Sequence, residues 1–147
     1  MKKQVLSIAA IACMMLHSVS TFADDRVIPV EQLPAAAQQF VKTTFPGQNI
    51  SYVTVDVDFL SKTYDVYLEN GTEIEFDKNG TWDNVDCNFT AVPAKLIPAP
   101  IAQYVKAKYP GTKIVKIDKE HGGYDVELSN DLELKFTGQG KLMYIDD

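Results

Sequence analysis

The sequence is poor in the residues that carry most protein chemistry. Its 147 residues hold two Cys, two His and one Trp, and 14 Lys and Arg stand against 20 Asp and Glu. So few thiols and imidazoles exclude a zinc site, which needs several such ligands at set spacings. The shortage of cations, a net charge of −6, excludes a nucleic-acid binder, whose phosphate contacts need clustered Lys and Arg. No apolar run reaches the roughly 20 residues that cross a bilayer. There is no glycine loop to cradle phosphate and no Gly-x-Ser-x-Gly nucleophile turn. At 46% hydrophobic residues the chain is still apolar enough to fold, as one compact domain or two small ones.

What is present begins with an address. Met1-Lys2-Lys3, an apolar stretch from Val5 to Leu16, and Ser18 to Ala23 before Asp24-Asp25 make the three parts of a secretory signal peptide, residues 1–23. Cleavage after Ala23 places the chain in the periplasm or otherwise outside the cytoplasm, with no membrane attachment. It removes Lys2, Lys3, Cys13 and His17, leaving 12 basic against 20 acidic residues, a charge of −8, with Cys87 and His121 as the one thiol and one imidazole. A lone Cys allows no internal disulfide, although the compartment permits one. Cys87 reads as a reactive thiol, a dimer link or, as free Cys usually is, a half-buried small apolar residue at a strand end.

The chain then repeats itself. Pro29, Pro34, Val41, Lys42, Pro46, Gly47 and Ile50 return 64 residues later as Pro93, Pro98, Val105, Lys106, Pro110, Gly111 and Ile114. Tyr64-Asp65-Val66, Leu68, Asn70, Glu73, Phe76 and Gly80 return 60 later as Tyr124-Asp125-Val126, Leu128, Asn130, Glu133, Phe136 and Gly140. This order reads as two copies of one unit, residues 24–88 and 89–147. Ala37, Phe40, Val41 and Phe45, like Ile101, Tyr104, Val105 and Tyr109, lie at the spacing of one helix face. A Pro-Gly pair then stops each helix.

Strand candidates follow at Asn49–Asp58, Thr63–Glu69, Thr72–Phe76 and Thr81–Val85, and again at Lys113–Lys119, Tyr124–Ser129, Leu132–Phe136 and Lys141–Ile145. Asn70-Gly71 and Asn79-Gly80 are hairpin signals. His121-Gly122-Gly123 replaces the longer turn from Phe59 to Lys62. The pattern predicts an α+β fold of two tandem repeats, each a helical segment packed on a four-stranded antiparallel meander. Short helical turns are expected at Val30–Leu33 and Ala94–Ile97.

Period-two alternation assigns faces. Tyr64, Val66, Leu68, Ile74 and Phe76 form an apolar set for the helix to cover. The opposite, open face of the first copy then carries Asp65, Tyr67, Glu69, Glu73 and Glu75, with Tyr52, Asp56 and Asp58 from the opening strand and Phe59 in the turn beyond. In the second copy it carries Asp125, Glu127, Glu133 and Lys135. The first copy has 4 basic against 12 acidic residues and the second 8 against 8, so the net charge belongs to the first. Such asymmetry points to a basic protein or peptide partner, with the aromatics as anchors, unless the acids serve only solubility. Trp82 reads as core, because its counterpart is Leu142.

Little of this is chemistry. His121 in a turn reads as solvated, and no base or nucleophile accompanies it, so no catalytic residue and no enzyme activity are expected. Asp56 with Asp58, or Glu73 with Glu75, offer oxygen ligands to a hard cation, but no Asp-x-Asp-x-Asp-Gly loop occurs, and no metal or cofactor is expected. The leading reading is a non-enzymatic exported binding or inhibitor-like module using Tyr52, Asp56, Asp58, Phe59, Asp65, Tyr67, Glu69, Glu73 and Glu75. The alternative is a small-ligand or cation sensor on the same face.

Leu33-Pro34, Phe45-Pro46-Gly47, Tyr64-Asp65-Val66, the run from Asn70 to Asp77, Asn79-Gly80 and Trp82 together resemble the PepSY-like, β-lactamase-inhibitor-like family of small exported bacterial proteins. The second copy carries a weaker version, with Asn130-Asp131 for Asn-Gly. The resemblance implies two tandem units whose sheets form one larger curved surface with an open face. It also implies binding rather than catalysis, since the inhibitor that lends the family its name grips an enzyme with such a face. Fold likeness alone transfers no activity, and no inhibitory residue is carried over.

Overall fold

The computed structural model describes residues 25–147, and the signal segment 1–23 lies outside the described residues. A short strand β1 (Arg26–Ile28) and a 3-10 turn (Val30–Gln32) lead into helix α1 (Ala35–Thr44). Strands β2 (Ile50–Val57), β3 (Lys62–Leu68), β4 (Glu73–Asp77) and β5 (Trp82–Asp86) follow. After a second 3-10 turn (Ala94–Leu96) come helix α2 (Ala99–Lys108) and strands β6 (Ile114–Glu120), β7 (Gly123–Leu128), β8 (Glu133–Thr137) and β9 (Leu142–Asp146). Both helices begin after a proline, Pro34 or Pro98, whose fixed φ suits a helix entrance. Both end at an aromatic residue followed by Pro-Gly, with Gly47 at φ 80° and Gly111 at φ 87° reversing the chain.

The expected α+β architecture of two tandem units, each with its own four-stranded meander, is corrected by this structure. The chain forms one antiparallel sheet of nine strands in the order β1 to β9. It is mostly β, with strands taking 41% of the described residues and helices 21%. The reason lies between β5 and β6. Asn84 faces Asp118, Val85 faces Ile117 and Asp86 faces Lys116, and the ladder continues as Cys87 N–H donates to Val115 and Val92 N–H to Ile114. A four-stranded meander ending at β5 would leave a row of unpaired backbone groups, and pairing with β6 satisfies them. Local patterns reveal hairpins, whereas this contact joins strands separated by a helix. The three-residue β1 is too short for alternation to register, and it covers the outer edge of β2.

Both helices lie on one face of the sheet over a single apolar cluster from Ile28 to Phe136. Phe40 of α1 meets Phe76 edge-on at 5.5 Å, and Tyr104 of α2 meets Phe136 at 5.6 Å. Phe76 and Phe136 are among the largest fully buried side chains. Cys87 is also buried in this cluster rather than half-exposed, and burial pushes its thiol pKa up, away from reactive thiolate. Trp82 packs at the rim of the core near Phe40, with the Lys119 ammonium 3.6 Å from its ring centroid.

The turns after β4 and β8 tuck against the helix entrances. A Cβ added to Gly80 would lie 2.9 Å from the Ala37 nitrogen, and one on Gly140 would lie 2.7 Å from Pro100 Cβ. Both glycines also have positive φ, so they are needed for close approach as well as conformation. Gly80→Ala and Gly140→Ala are each expected to cost about 2 kcal/mol or more. Gly47→Ala, with nothing within 4 Å of the added carbon, should cost only the roughly 1 kcal/mol of the strained φ; equal losses at all three positions would refute the packing role.

Ile117→Ala should remove about 2–5 kcal/mol. Because β5 and β6 share one sheet, the fluorescence of Trp82, the sole tryptophan, should report the same shifted transition as far-ultraviolet dichroism. Two separate transitions would contradict a single sheet.

Candidate functional site

Strand registers carry the open face across the whole sheet. One row runs Val27, Thr54, Asp65, Glu75, Asn84, Asp118, Asp125, Lys135, Tyr144 from β1 to β9. A second runs Tyr52, Tyr67, Glu73, Asp86, Lys116, Glu127, Glu133, Asp146 from β2 to β9. Directly opposed residues on neighbouring antiparallel strands share a face, with Cβ atoms typically about 5 Å apart. Carboxylates therefore face carboxylates at Asp65–Glu75, Glu73–Asp86, Asp118–Asp125, Glu127–Glu133 and Glu133–Asp146.

The electrostatics follow from that crowding. Burial, reinforced by Glu73 and other acids, raises the Asp65 pKa to about 6, while a hydrogen bond from Thr54 Oγ1 at 3.4 Å opposes the shift. Glu75 is raised by burial and by Asp65, Asp83 and Asp118. Asp118 is raised mainly by burial, against the hydrogen bond from Asn84 Nδ2 at 3.1 Å. Tyr67 donates to Glu73 Oε1 at 3.2 Å, and burial with the adjacent acids pushes its phenol pKa up. Relief comes at the β9 end, where Lys135 meets Asp125 at 2.6 Å.

Of the nine residues singled out from the sequence, Tyr52, Asp65, Tyr67, Glu73 and Glu75 come together in these rows. Tyr52 and Tyr67 stack at 4.4 Å with planes 15° apart. Asp56 stands one step along β2, opposite Thr63, and its Oδ1 is buried with no hydrogen-bond partner among the described residues. Glu69 lies just past β3, bound by Asn49. Asp58 and Phe59 sit in the β2–β3 turn, with Phe59 95% exposed at its tip.

The sequence reading missed Asn84, Asp86, Lys116 and Asp118, which link the two halves of the face. In β5 a bulge puts Trp82 and Val85 on the same side of the sheet although they are three residues apart, so simple alternation fails there. In β6 the signal was available, since Lys116 and Asp118 flank Ile117. The acidic surface consequently spans both halves of the chain. The second half's charge balance hid it, because Lys95, Lys106 and Lys108 belong to the helical elements.

His121 lies in the β6–β7 turn at φ 47°, its side chain 95% exposed, beside Glu120 at 3.8 Å. Among the described residues no three His, Cys, Asp or Glu side chains stand close enough to hold one metal ion.

Comparison with known proteins places this geometry. A family model described as "Putative beta-lactamase-inhibitor-like, PepSY-like" matches residues 62–144. A crystal structure from Bacteroides thetaiotaomicron, described as "a putative calcium-regulated periplasmic protein", is 44% identical with TM-score 0.80, covering 84% of this chain and 97% of that one. A "putative periplasmic protein" from Bacteroides vulgatus is 42% identical with TM-score 0.79, covering 84% and 98%. Another from the same species, of unknown function, is 36% identical with TM-score 0.80, covering 84% and 100%. No curated protein matches the chain. Like these relatives, the protein is periplasmic. The chain belongs to the PepSY-like, β-lactamase-inhibitor-like family.

Proposed function

We propose that the protein is a non-enzymatic periplasmic binding module whose open sheet face holds a basic protein or peptide. The observation that supports this reading is the set of five directly opposed carboxylate pairs. Like charges opposed across a sheet destabilise it, and half-burial adds a desolvation cost at Asp65 and Glu75. A fold carrying that cost gains on meeting positive charge: Lys or Arg donors would relieve the repulsion. The Tyr52–Tyr67 stack and Phe59 supply flat apolar area beside the acids, the usual composition of an interface anchor.

A second reading takes calcium as the ligand, favoured by the description of the 44% identical relative as calcium-regulated. The opposed carboxylates are hard oxygen donors of the right kind. The described residues nevertheless offer no cluster of three ligating side chains, so the donor set does not fit a closed calcium site, and this reading ranks second. It expects calcium to raise the melting temperature by mass action where magnesium at equal ionic strength does not. Equal rises with both ions would reduce the effect to screening.

The basic-partner reading expects immobilised protein to retain basic periplasmic proteins at low salt and release them as salt shortens the Debye length below about 8 Å. The variant with Asp65, Glu73 and Glu75 all changed to Lys should retain none while keeping its circular dichroism. Retention that survives this charge reversal refutes the reading.

The face's internal repulsion is testable in isolation. A carboxylate whose pKa is raised on folding binds protons more readily in the folded chain, so its contribution to stability falls as pH climbs from about 4 to about 6. Asp65→Asn should therefore stabilise the protein by on the order of 1 kcal/mol above pH 6, after allowance for solvent screening, and change little below pH 4. Destabilisation at pH 7 would show that the carboxylate is not strained.

A further inference from the structure

An open nine-stranded sheet has two edges, and here they are built differently. The β1 edge is three residues long, carries Arg26 and is followed by Pro29; shortness, charge and proline all discourage further pairing. The β9 edge, Leu142–Asp146, is five residues long and contains no Lys, Arg or Pro. Met143, Tyr144 and Ile145 are 62%, 49% and 45% exposed along it.

A bulge also blunts an edge, and β9 has one where it pairs with β8 near Phe136. The molecule itself shows that this bulge does not prevent pairing. β5 carries the same irregularity against β4, with Phe76 opposite Trp82 as Phe136 is opposite Leu142. Yet β5 pairs along its other edge with β6. Val85, which faces Ile74 on one side and Ile117 on the other, is 0% exposed. Ile145 faces Leu134 as Val85 faces Ile74.

We propose that β9 pairs antiparallel with β9 of a second copy, joining two nine-stranded sheets across a two-fold axis. The strand is self-complementary in that arrangement: pairing about Tyr144 sets Met143 against Ile145 of the other copy, while Leu142 and Asp146, which the bulge puts on opposite faces, lie outside the ladder. The guarded β1 edge prevents addition at the far end, so assembly closes at two rather than growing into a filament. Cys87 is buried, which leaves a backbone ladder and apolar contacts rather than a disulfide as the link. The two open faces continue into one another across the axis with Asp146 of each copy beside it. Salt that screens this repulsion should strengthen the dimer, the reverse of its effect on a basic partner at the open face, so the two proposals fail independently.

Sedimentation equilibrium of the processed chain should show a concentration-dependent dimer that tightens with ionic strength. Ile145→Lys and Tyr144→Lys place a charge at exposed positions and should each weaken association at least about tenfold, with dichroism and Trp82 fluorescence unchanged. In the unmodified protein, outward-facing β9 amides should exchange hydrogen more slowly as concentration rises. A chain that stays monomeric to about 1 mM, a dimer indifferent to both lysine variants, or β9 amides indifferent to concentration would overturn the proposal.

Discussion

The pairing of β5 with β6 is the contact on which the rest of the architecture depends. Three opposed residue pairs and the backbone bonds that extend them convert a chain with two helix-and-hairpin stretches into one sheet with one core. Both rows of the open face cross at this contact, through Asn84–Asp118 and Asp86–Lys116. Without it neither row would be continuous, and the acids of the two halves would belong to unrelated surfaces. Val85 and Ile117 meet on the helix side of the same contact, so the ladder that unites the polar face also unites the apolar one.

The two faces stand in energetic opposition. On one, fully buried Ile, Leu, Val and Phe side chains gain from leaving water, at roughly 25 cal/mol for each Å² buried. On the other, carboxylates are pressed together across neighbouring strands, and some are half-buried as well. Stability could have been improved by alternating lysine with these acids, as Lys135 does beside Asp125. That lysine interrupts the rows at only two places, Lys135 and, between Asp86 and Glu127, Lys116, is a local conflict of the kind that folded proteins tolerate chiefly where the surface serves something besides the fold.

Much of the local structure was legible in the sequence because it is written in short-range terms. Helix spacing at Ala37, Phe40, Val41 and Phe45, the Pro-Gly stops and Asn-Gly turns marked both helices and eight of the nine strands within a residue or two. What escaped had non-local or compensated causes. The union of the sheets, which the family resemblance implied and no local pattern showed, depends on strands that meet only after α2 has intervened. The bulge in β5 breaks the parity that would have exposed Asn84 and Asp86 as face residues. Alternation already set Asp125, Glu127 and Glu133 on the open face, but charge summed by chain segment masked their continuity with the acids of the first half, to which Asp118 joins them.

The strand order also bears on how the chain reaches its folded state. Each strand from β2 to β9 lies beside the one that precedes it in the chain, with no crossover. Contacts between near neighbours in sequence incur little loop-closure entropy and form quickly. A polypeptide delivered across a membrane N-terminus first could add each strand to the growing edge as it emerged, without waiting for its C-terminus. With one buried thiol among the described residues, that zipper-like growth has no disulfide to wait for.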